Sequence, residues 1–225
     1  MTERWKRTTW LYPIVIPLIL FVLFNTFYST PLLKRNMISE KESQIEDLTN
    51  LGVSILSHFY SMETEGKLTR SQAQRQAMSL IRDLRFGPEG RDYYWINDKT
   101  PTLLVHPFRP DLERADLSSE STGEFLSLFE TFVTIAEEQQ EGFTRYQWQY
   151  YGEADQVASK ISYIKYFEPW EWIIGTGLYI DDVEKAAQSQ RNINVIFVIT
   201  VIQLLLAAFV VYKILMRRKQ APSNQ

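Results

Sequence analysis

Lys-Ile-Ser-Tyr-Ile-Lys-Tyr-Phe (160–167) and Trp-Ile-Ile-Gly-Thr-Gly-Leu (172–178) decide how this chain is read, because both are short, apolar-rich runs of strand length. Successive side chains of a strand point to opposite faces, so Lys160, Ser162 and Ile164 share one face and Ile161, Tyr163 and Lys165 the other. Residues Glu168–Glu171 between the runs suit an antiparallel turn. Gly175-Thr176-Gly177 lacks the later glycine and the following helix of a nucleotide loop. It reads instead as a point of close approach within a strand.

Working outward, Asp92–Asn97 and Thr102–His106 form a hairpin across Asp98-Lys99-Thr100-Pro101, and Phe143–Gln149 reads as a further strand. The loop Tyr151–Ala158 joins that strand to Lys160. A proline-punctuated segment, Pro107 to Thr122, leads into a helix at Gly123–Gln140. Before the sheet, Thr30-Pro31 reads as an N-cap followed by proline at the first helical position. The helix it opens runs to Thr64, with Ile38, Ile45, Leu48, Ile55, Phe59 and Met62 forming an apolar seam and Gly52 in its one gap. Leu51, Val53, Leu56 and Tyr60 widen the apolar surface, so the helix can pack on its own sheet, on a second copy of the chain, or on both. Gly66 stops it, and Thr69-Arg-Ser-Gln72 has the form of a capping box for a second helix running to Arg85. Helices first, then a five-strand meander interrupted by one helix, predict an α+β domain with a PAS-like antiparallel β-sheet and a long N-terminal helix.

Two apolar stretches, 10–28 and 193–216, bracket this domain, and each approaches the ~20 residues that cross a ~30 Å hydrocarbon layer. The first can also be a cleaved signal peptide, although its apolar run exceeds the usual length of about 7–15 residues and no small-residue cleavage site follows. Arg4, Lys6 and Arg7 precede the first stretch, while Lys213, Arg217, Arg218 and Lys219 stand at the end of the second. This positive-inside pattern predicts a two-pass protein with cytoplasmic tails at 1–9 and 217–225, transmembrane helices at 10–28 and 193–216, and an extracytoplasmic domain at 31–190. Trp5, Trp10, Tyr12, Tyr28 and Tyr212 occupy interfacial positions. Asn25 and Gln203 at membrane depth read as bonds between helices.

The net charge of −3 hides an asymmetry, because the basic tails leave −9 for the chain between them. A domain this acidic is not a nucleic-acid binder, and an anion site within it needs its own local cation. There are no cysteines, so disulfide and thiolate chemistry are absent. No His, Cys or carboxylate set has metal-ligand spacing, and no nucleophile and base stand out, so neither a metal, a cofactor nor an enzymatic activity is expected. His106, at a strand end before Pro107, is either a structural histidine or a cavity donor. Lys160 is either a solvated edge group or the cation of a cleft. With Tyr94 on the first strand and Tyr146 and Trp148 on a neighbouring one, phenol, imidazole and ammonium converging on a concave site would suit a carboxylate.

Arg-Asp-Tyr-Tyr-Trp-Ile-Asn-Asp (91–98), Val-His-Pro (105–107), Gly-Phe-x-x-Tyr-x-Trp (142–148), Lys-x-Ser-Tyr-x-Lys-x-Phe (160–167) and Trp-x-Ile-Gly-Thr-Gly-x-Tyr-Ile-Asp-Asp (172–182) occur in this order. Together they resemble the single Cache domain, a sensor found outside the membrane in bacterial chemoreceptors, sensor kinases and cyclic-nucleotide enzymes. The resemblance covers residues 36–190 and implies a pocket on one sheet face for a small carboxylate such as acetate, propionate, pyruvate or lactate. Carried over by motif, the ligand-binding residues are Tyr94, Trp95, His106, Tyr146 and Lys160, with Arg85 as a further candidate. It also implies location in a bacterial inner membrane and a homodimer through the N-terminal helix. The sequence departs from the family at Glu113-Arg114 and at Glu171, where glycine is common. Few residues follow Leu215, so the expectation is a sensor that hands its signal to a separate membrane or cytoplasmic signalling partner. The alternative is a non-sensing accessory subunit with a vestigial pocket.

Overall fold

A computed structural model describes residues 12–100, 102–115, 123–151 and 153–220. Arg4, Lys6, Arg7, Trp5 and Trp10, Pro101 of the hairpin turn and loop residues 116–122 lie outside the described residues. The chain divides into two compact units, one comprising residues up to Asn36 and from Val183, the other Met37–Asp182.

The first unit holds helix α1 (Tyr12–Phe24), a π turn (Asn25–Ser29), the start of helix α2 (Thr30–Thr64) and most of helix α5 (Asp181–Gln220). Thr30 is not an N-cap: its backbone is helical (φ −66°, ψ −45°) and its N–H reaches back to the Asn25 carbonyl. Pro31 has no N–H to give, and the wider π turn absorbs the missing bond. Asn25 turns its amide onto the Phe21 carbonyl at 3.0 Å. Both Ile16–Thr64 and Asp181–Ile214 are long and apolar enough to cross a membrane, and their most apolar windows are only 6% and 0% buried. Phe21 and Phe197 pack ring to ring at 5.1 Å.

The second unit is an antiparallel sheet between two helical layers. Helix α3 (Arg70–Asp83) precedes strands β1 (Arg85–Phe86), β2 (Asp92–Asp98) and β3 (Leu103–Val105). Helix α4 (Gly123–Gln139) then leads to β4 (Glu141–Tyr150), β5 (Glu153–Phe167) and β6 (Trp172–Tyr179). Thr69 and Gln72 form the capping box that starts α3, and Gly66, at φ 74°, follows the end of α2. The strand order is β1-β2-β6-β5-β4, with β3 also paired to β2. Thus the sheet is not a plain meander: α4 carries the chain to the far edge, and β6 returns to the centre beside β2. A second difference is the start of β5. Residues Glu153–Ala158 are strand rather than loop, with Ala158 opposite Trp148 and Val157 opposite Gln149. Their polar composition hides a hairpin arm that has no apolar face to announce it.

One sheet face packs on α2 and α3. Tyr94, Ile96, Trp172 and Ile174 form a core with Leu56, Ala73, Ala77 and Ile81, flanked by Leu48, Ile55 and Phe59. The seam of α2 therefore meets its own sheet, while Leu51 remains 55% exposed. Gly52 fills the gap in the seam for a steric reason: a Cβ there would stand 2.8 Å from Ile174 Cδ1 and 3.0 Å from Tyr94 Cε1. The other face packs on α4, where Trp95, Trp148, Ile164 and Ile173 meet Phe129, Phe132 and Ala136.

Candidate ligand-binding cavity

Strand β2 is buried on both faces, and its alternation splits the Tyr-Tyr-Trp run. Tyr93 and Trp95 point toward α4. Tyr94 points the other way, its hydroxyl donating to the Leu48 carbonyl of α2 at 2.8 Å. Tyr94 is therefore not part of the cluster formed by the other candidates, and Tyr93 stands in its place. An all-apolar run offers no polar face from which to read the phase, so the sequence reading takes Tyr94 and passes over Tyr93.

Lys160 lies on β5 between Tyr146 of β4 and Tyr179 of β6. It is 1% exposed. Its Nζ donates to the Tyr93 hydroxyl at 3.0 Å and sits 4.1 Å from the Tyr93 ring centroid, 5.2 Å from that of Tyr179 and 5.7 Å from that of Trp95. Among the described residues no carboxylate comes within 4.0 Å of it. Burial brings its pKa down to about 7, opposed by the charge of Asp92. Asp92 is itself buried: Tyr151 donates to Oδ1 at 3.1 Å and Oδ2 has no partner. Burial raises the pKa of this carboxyl.

His106 is buried just beyond β3, 4.8 Å from the Tyr93 ring and 5.5 Å from that of Trp148. Its Nδ1 accepts the Phe108 N–H at 3.3 Å, so the proton of the neutral ring belongs on Nε2 and makes that atom a donor. Burial, then the charge of Lys160, holds its pKa well below the usual histidine value. The backbone of His106 is clamped from behind. Its N–H donates to Glu113 Oε1 at 2.7 Å, and Arg82 of α3 grips both oxygens of the same carboxylate, the second at 2.8 Å. Glu113 is one of the departures from the family pattern, and here it ties the histidine turn to α3. The next residue, Arg114, sits at φ 57°, a conformation that glycine adopts freely.

Tyr146 pairs its hydroxyl with Ser162 Oγ at 3.0 Å. Trp95 Nε1 is buried without an acceptor. Trp95 and the stem of Lys160 lie on β6, and the Gly-Thr-Gly run explains how. A Cβ on Gly175 would overlap the Trp95 indole, and one on Gly177 would overlap Ser162 and stand 3.0 Å from Lys160 Cε. The two glycines form the floor of the site.

Tyr93, Trp95, His106, Tyr146 and Trp148 from the sheet side, with Phe129 and Phe132 of α4, enclose a void that leaves ≈ 10 Å³ for the centre of a water molecule. That is room for about one water. Trp95, His106 and Tyr146 thus come together, and Lys160 stands directly behind the Tyr93 hydroxyl. Arg85 does not join them: it is exposed, donates to the carbonyls of Arg82 and Leu84, and its guanidinium lies 5.7 Å from the Phe108 ring. A short β1 strand turns it outward. Phe129 and Phe132 escaped the sequence reading, although their spacing of three on an amphipathic helix marks a core-facing pair.

Residues 37–192 match the family described as Single Cache domain 2. The methyl-accepting chemotaxis protein McpP of Pseudomonas putida is 34% identical over 179 residues, which is 80% of this chain and 32% of that protein. The sensor histidine kinase MctS of Rhizobium johnstonii is 29% identical over 202 residues, 83% of this chain and 42% of the kinase. The chain thus spans about 32% and 42% of the length of these relatives. A solved Cache chemosensory domain, described for its recognition of carboxylic acids, superposes with a TM-score of 0.58 at 31% identity, covering 65% of this chain and 97% of that one. The five motifs, the antiparallel sheet and the family match agree: this chain belongs to the single Cache domain family.

Proposed function

We propose that the protein is a membrane-anchored extracytoplasmic sensor whose cavity binds a small monocarboxylate of two to four carbons. The observation that carries this reading is a buried ammonium, Lys160, with no carboxylate within 4.0 Å among the described residues, beside a buried Trp95 N–H that finds no acceptor among them. Uncompensated groups of this kind are costly, and one anion would answer both. Its carboxylate would take bonds from Lys160 Nζ, from the Nε2–H of His106 and from a tyrosine hydroxyl, while the surrounding rings hold a short carbon tail. The similarity to a Cache domain described for carboxylic acid recognition supports the same ligand class.

The basic tails support a topology with both termini in the cytoplasm and the Cache domain outside, with α1 and α5 as the spans. Binding shifts α5 relative to α2 by ~1–2 Å, the scale of helix shifts in switching receptors. A signalling module of the chemoreceptor or kinase kind receives that shift, and the exposed Leu51 edge of α2 pairs with a second copy. A best-case ligand gains ~1.5 kcal/mol per heavy atom, about −6 kcal/mol for a four-atom acid and about −9 kcal/mol for a six-atom one. These correspond to dissociation constants of tens of micromolar and below about 1 µM.

Thermal-shift and calorimetric titration of the full chain in detergent with acetate, propionate, pyruvate and lactate test this. Saturable binding that disappears in Lys160→Met is the expected result. An absence of binding by all four acids would end the carboxylate reading. The smallness of the void favours a second reading, an accessory subunit with a vestigial pocket, for which none of these acids shifts the melting point.

A further inference from the structure

We propose that Trp148 is the partition that limits how long an acid this cavity accepts, and the side chain that turns aside to admit it. This rests on the carboxylate reading above. Two spaces meet at this residue. On its inner side is the ≈ 10 Å³ void, and on its outer side a groove of ≈ 690 Å³ walled by Phe108, Phe125, Gln147 and Val157. Trp148, Tyr146 and Leu128 belong to the walls of both.

The indole of Trp148 stands 5.5 Å from the ring of His106, which faces the void, and 5.5 Å from that of Phe125, which faces the groove. An acid of four to six heavy atoms exceeds a space for about one water, so part of the wall has to give. Tyr146 is held by Ser162 at 3.0 Å. Leu128 is carried on a helix. Trp148 stands on β4, the edge strand, next to the register shift at Gln149 and Tyr150, where its backbone has a neighbour on one side only. Its indole reaches the Tyr93 hydroxyl and packs on His106 and Phe125, and beyond it lies the open volume into which it can turn once an acid takes that hydroxyl.

With its carboxylate against Lys160 and His106, an acid extends its tail toward this indole. If the indole is removed, the tail continues into a groove with apolar walls at Phe108, Phe125 and Val157, the last 64% exposed. The groove also contains Arg109, but its guanidinium is already bound by Asp111 at 2.9, 3.1 and 2.7 Å. The enlarged site therefore favours longer monocarboxylates and gains nothing for dicarboxylates.

The test is calorimetry on the full chain with straight-chain monocarboxylates of two to eight carbons and with adipate. It compares wild type, Trp148→Ala and Trp148→Phe, with Leu128→Ala opening the same wall from the helix side should Trp148→Ala not fold. Wild type is expected to bind only the short acids. In Trp148→Ala the six- to eight-carbon acids gain about tenfold or more, the scale of methylene discrimination in an apolar pocket. Trp148→Phe keeps the short preference, and adipate does not gain in any variant. An unchanged length preference in both Trp148→Ala and Leu128→Ala, or a wild type that takes octanoate as well as propionate, overturns the partition and leaves the carboxylate reading standing. A wild type that binds none of the acids overturns both.

Discussion

On the α2 and α3 face of the sheet, Tyr94 donates to Leu48, Thr49 to the Ile45 carbonyl and the Trp170 indole to Glu63, with the unpartnered Asp92 Oδ2 an exception. On the α4 face the residue types are similar, yet among the described residues Lys160 has no carboxylate within 4.0 Å and Trp95 Nε1 no acceptor. The first face is largely finished by folding. The second is left incomplete, and under the proposed function that incompleteness is where a ligand would contribute stability. A molecule that binds only the folded chain raises the melting point by mass action.

The contrast breaks most visibly through variants of the two faces. Leu56→Ala, on the finished face, is expected to cost about 2–5 kcal/mol of stability, as for a buried leucine lost to a cavity. Ligand preference should not change, which denaturant melts with and without propionate would check. Lys160→Met, on the incomplete face, should do the reverse: binding is lost, and the ligand-free chain melts at the same temperature or higher, because an uncompensated ammonium is replaced by an apolar chain of similar length. A large fall in melting point would show instead that Lys160 is a structural group.

pH sharpens the same comparison. Lys160 titrates at about 7 in the folded state and near 10.5 when unfolded. Between those values the unfolded chain holds the extra proton, so the stability of the ligand-free protein rises with pH across that window and is flat below it. Asp92, Tyr93, Tyr146, Tyr179 and His106 are the titratable groups around it. Subtracting the pH profile of Lys160→Met from that of wild type isolates the lysine, and an identical slope in both would contradict the assignment. Smaller effects come from the supports. Glu113→Gln keeps an acceptor for the His106 N–H but loses the charged grip of Arg82, at a cost of about 1.5–3 kcal/mol shared between stability and ligand affinity. Glu171, at φ 55°, holds a left-handed conformation, and Glu171→Gly should stabilise by about 1 kcal/mol. A loss of stability there would mean its side chain matters more than its backbone.

Most of the architecture was legible because strands β2, β5 and β6 carry strong apolar patterns and because Gly66 and the Thr69–Gln72 box punctuate the helices. What escaped lacks a local signal. Whether β6 joins β2 or only β5 is a long-range choice that no turn residue records. Glu153–Ala158 is strand because the opposite arm extends it, and Thr30 is helical because α1 runs into it. The site was half legible for a related reason. The motif positions pointed to His106, Lys160, Trp95 and Tyr146, but the phase of an all-buried strand decided between Tyr93 and Tyr94. Arg85 offered a cation near the right strand, and a two-residue edge strand directed it to solvent.

The most direct test of the account is calorimetry of the full chain with its best short acid at pH 8, in two buffers of different ionisation enthalpy. An anion that completes the Lys160 site restores the charge on a lysine that is largely neutral at that pH, so binding should take up a proton and the heat should differ between buffers, a difference absent from any residual binding by Lys160→Met. Binding with the same heat in both buffers, unaltered by Lys160→Met, would contradict the claim that this cavity is built around an unpaired ammonium.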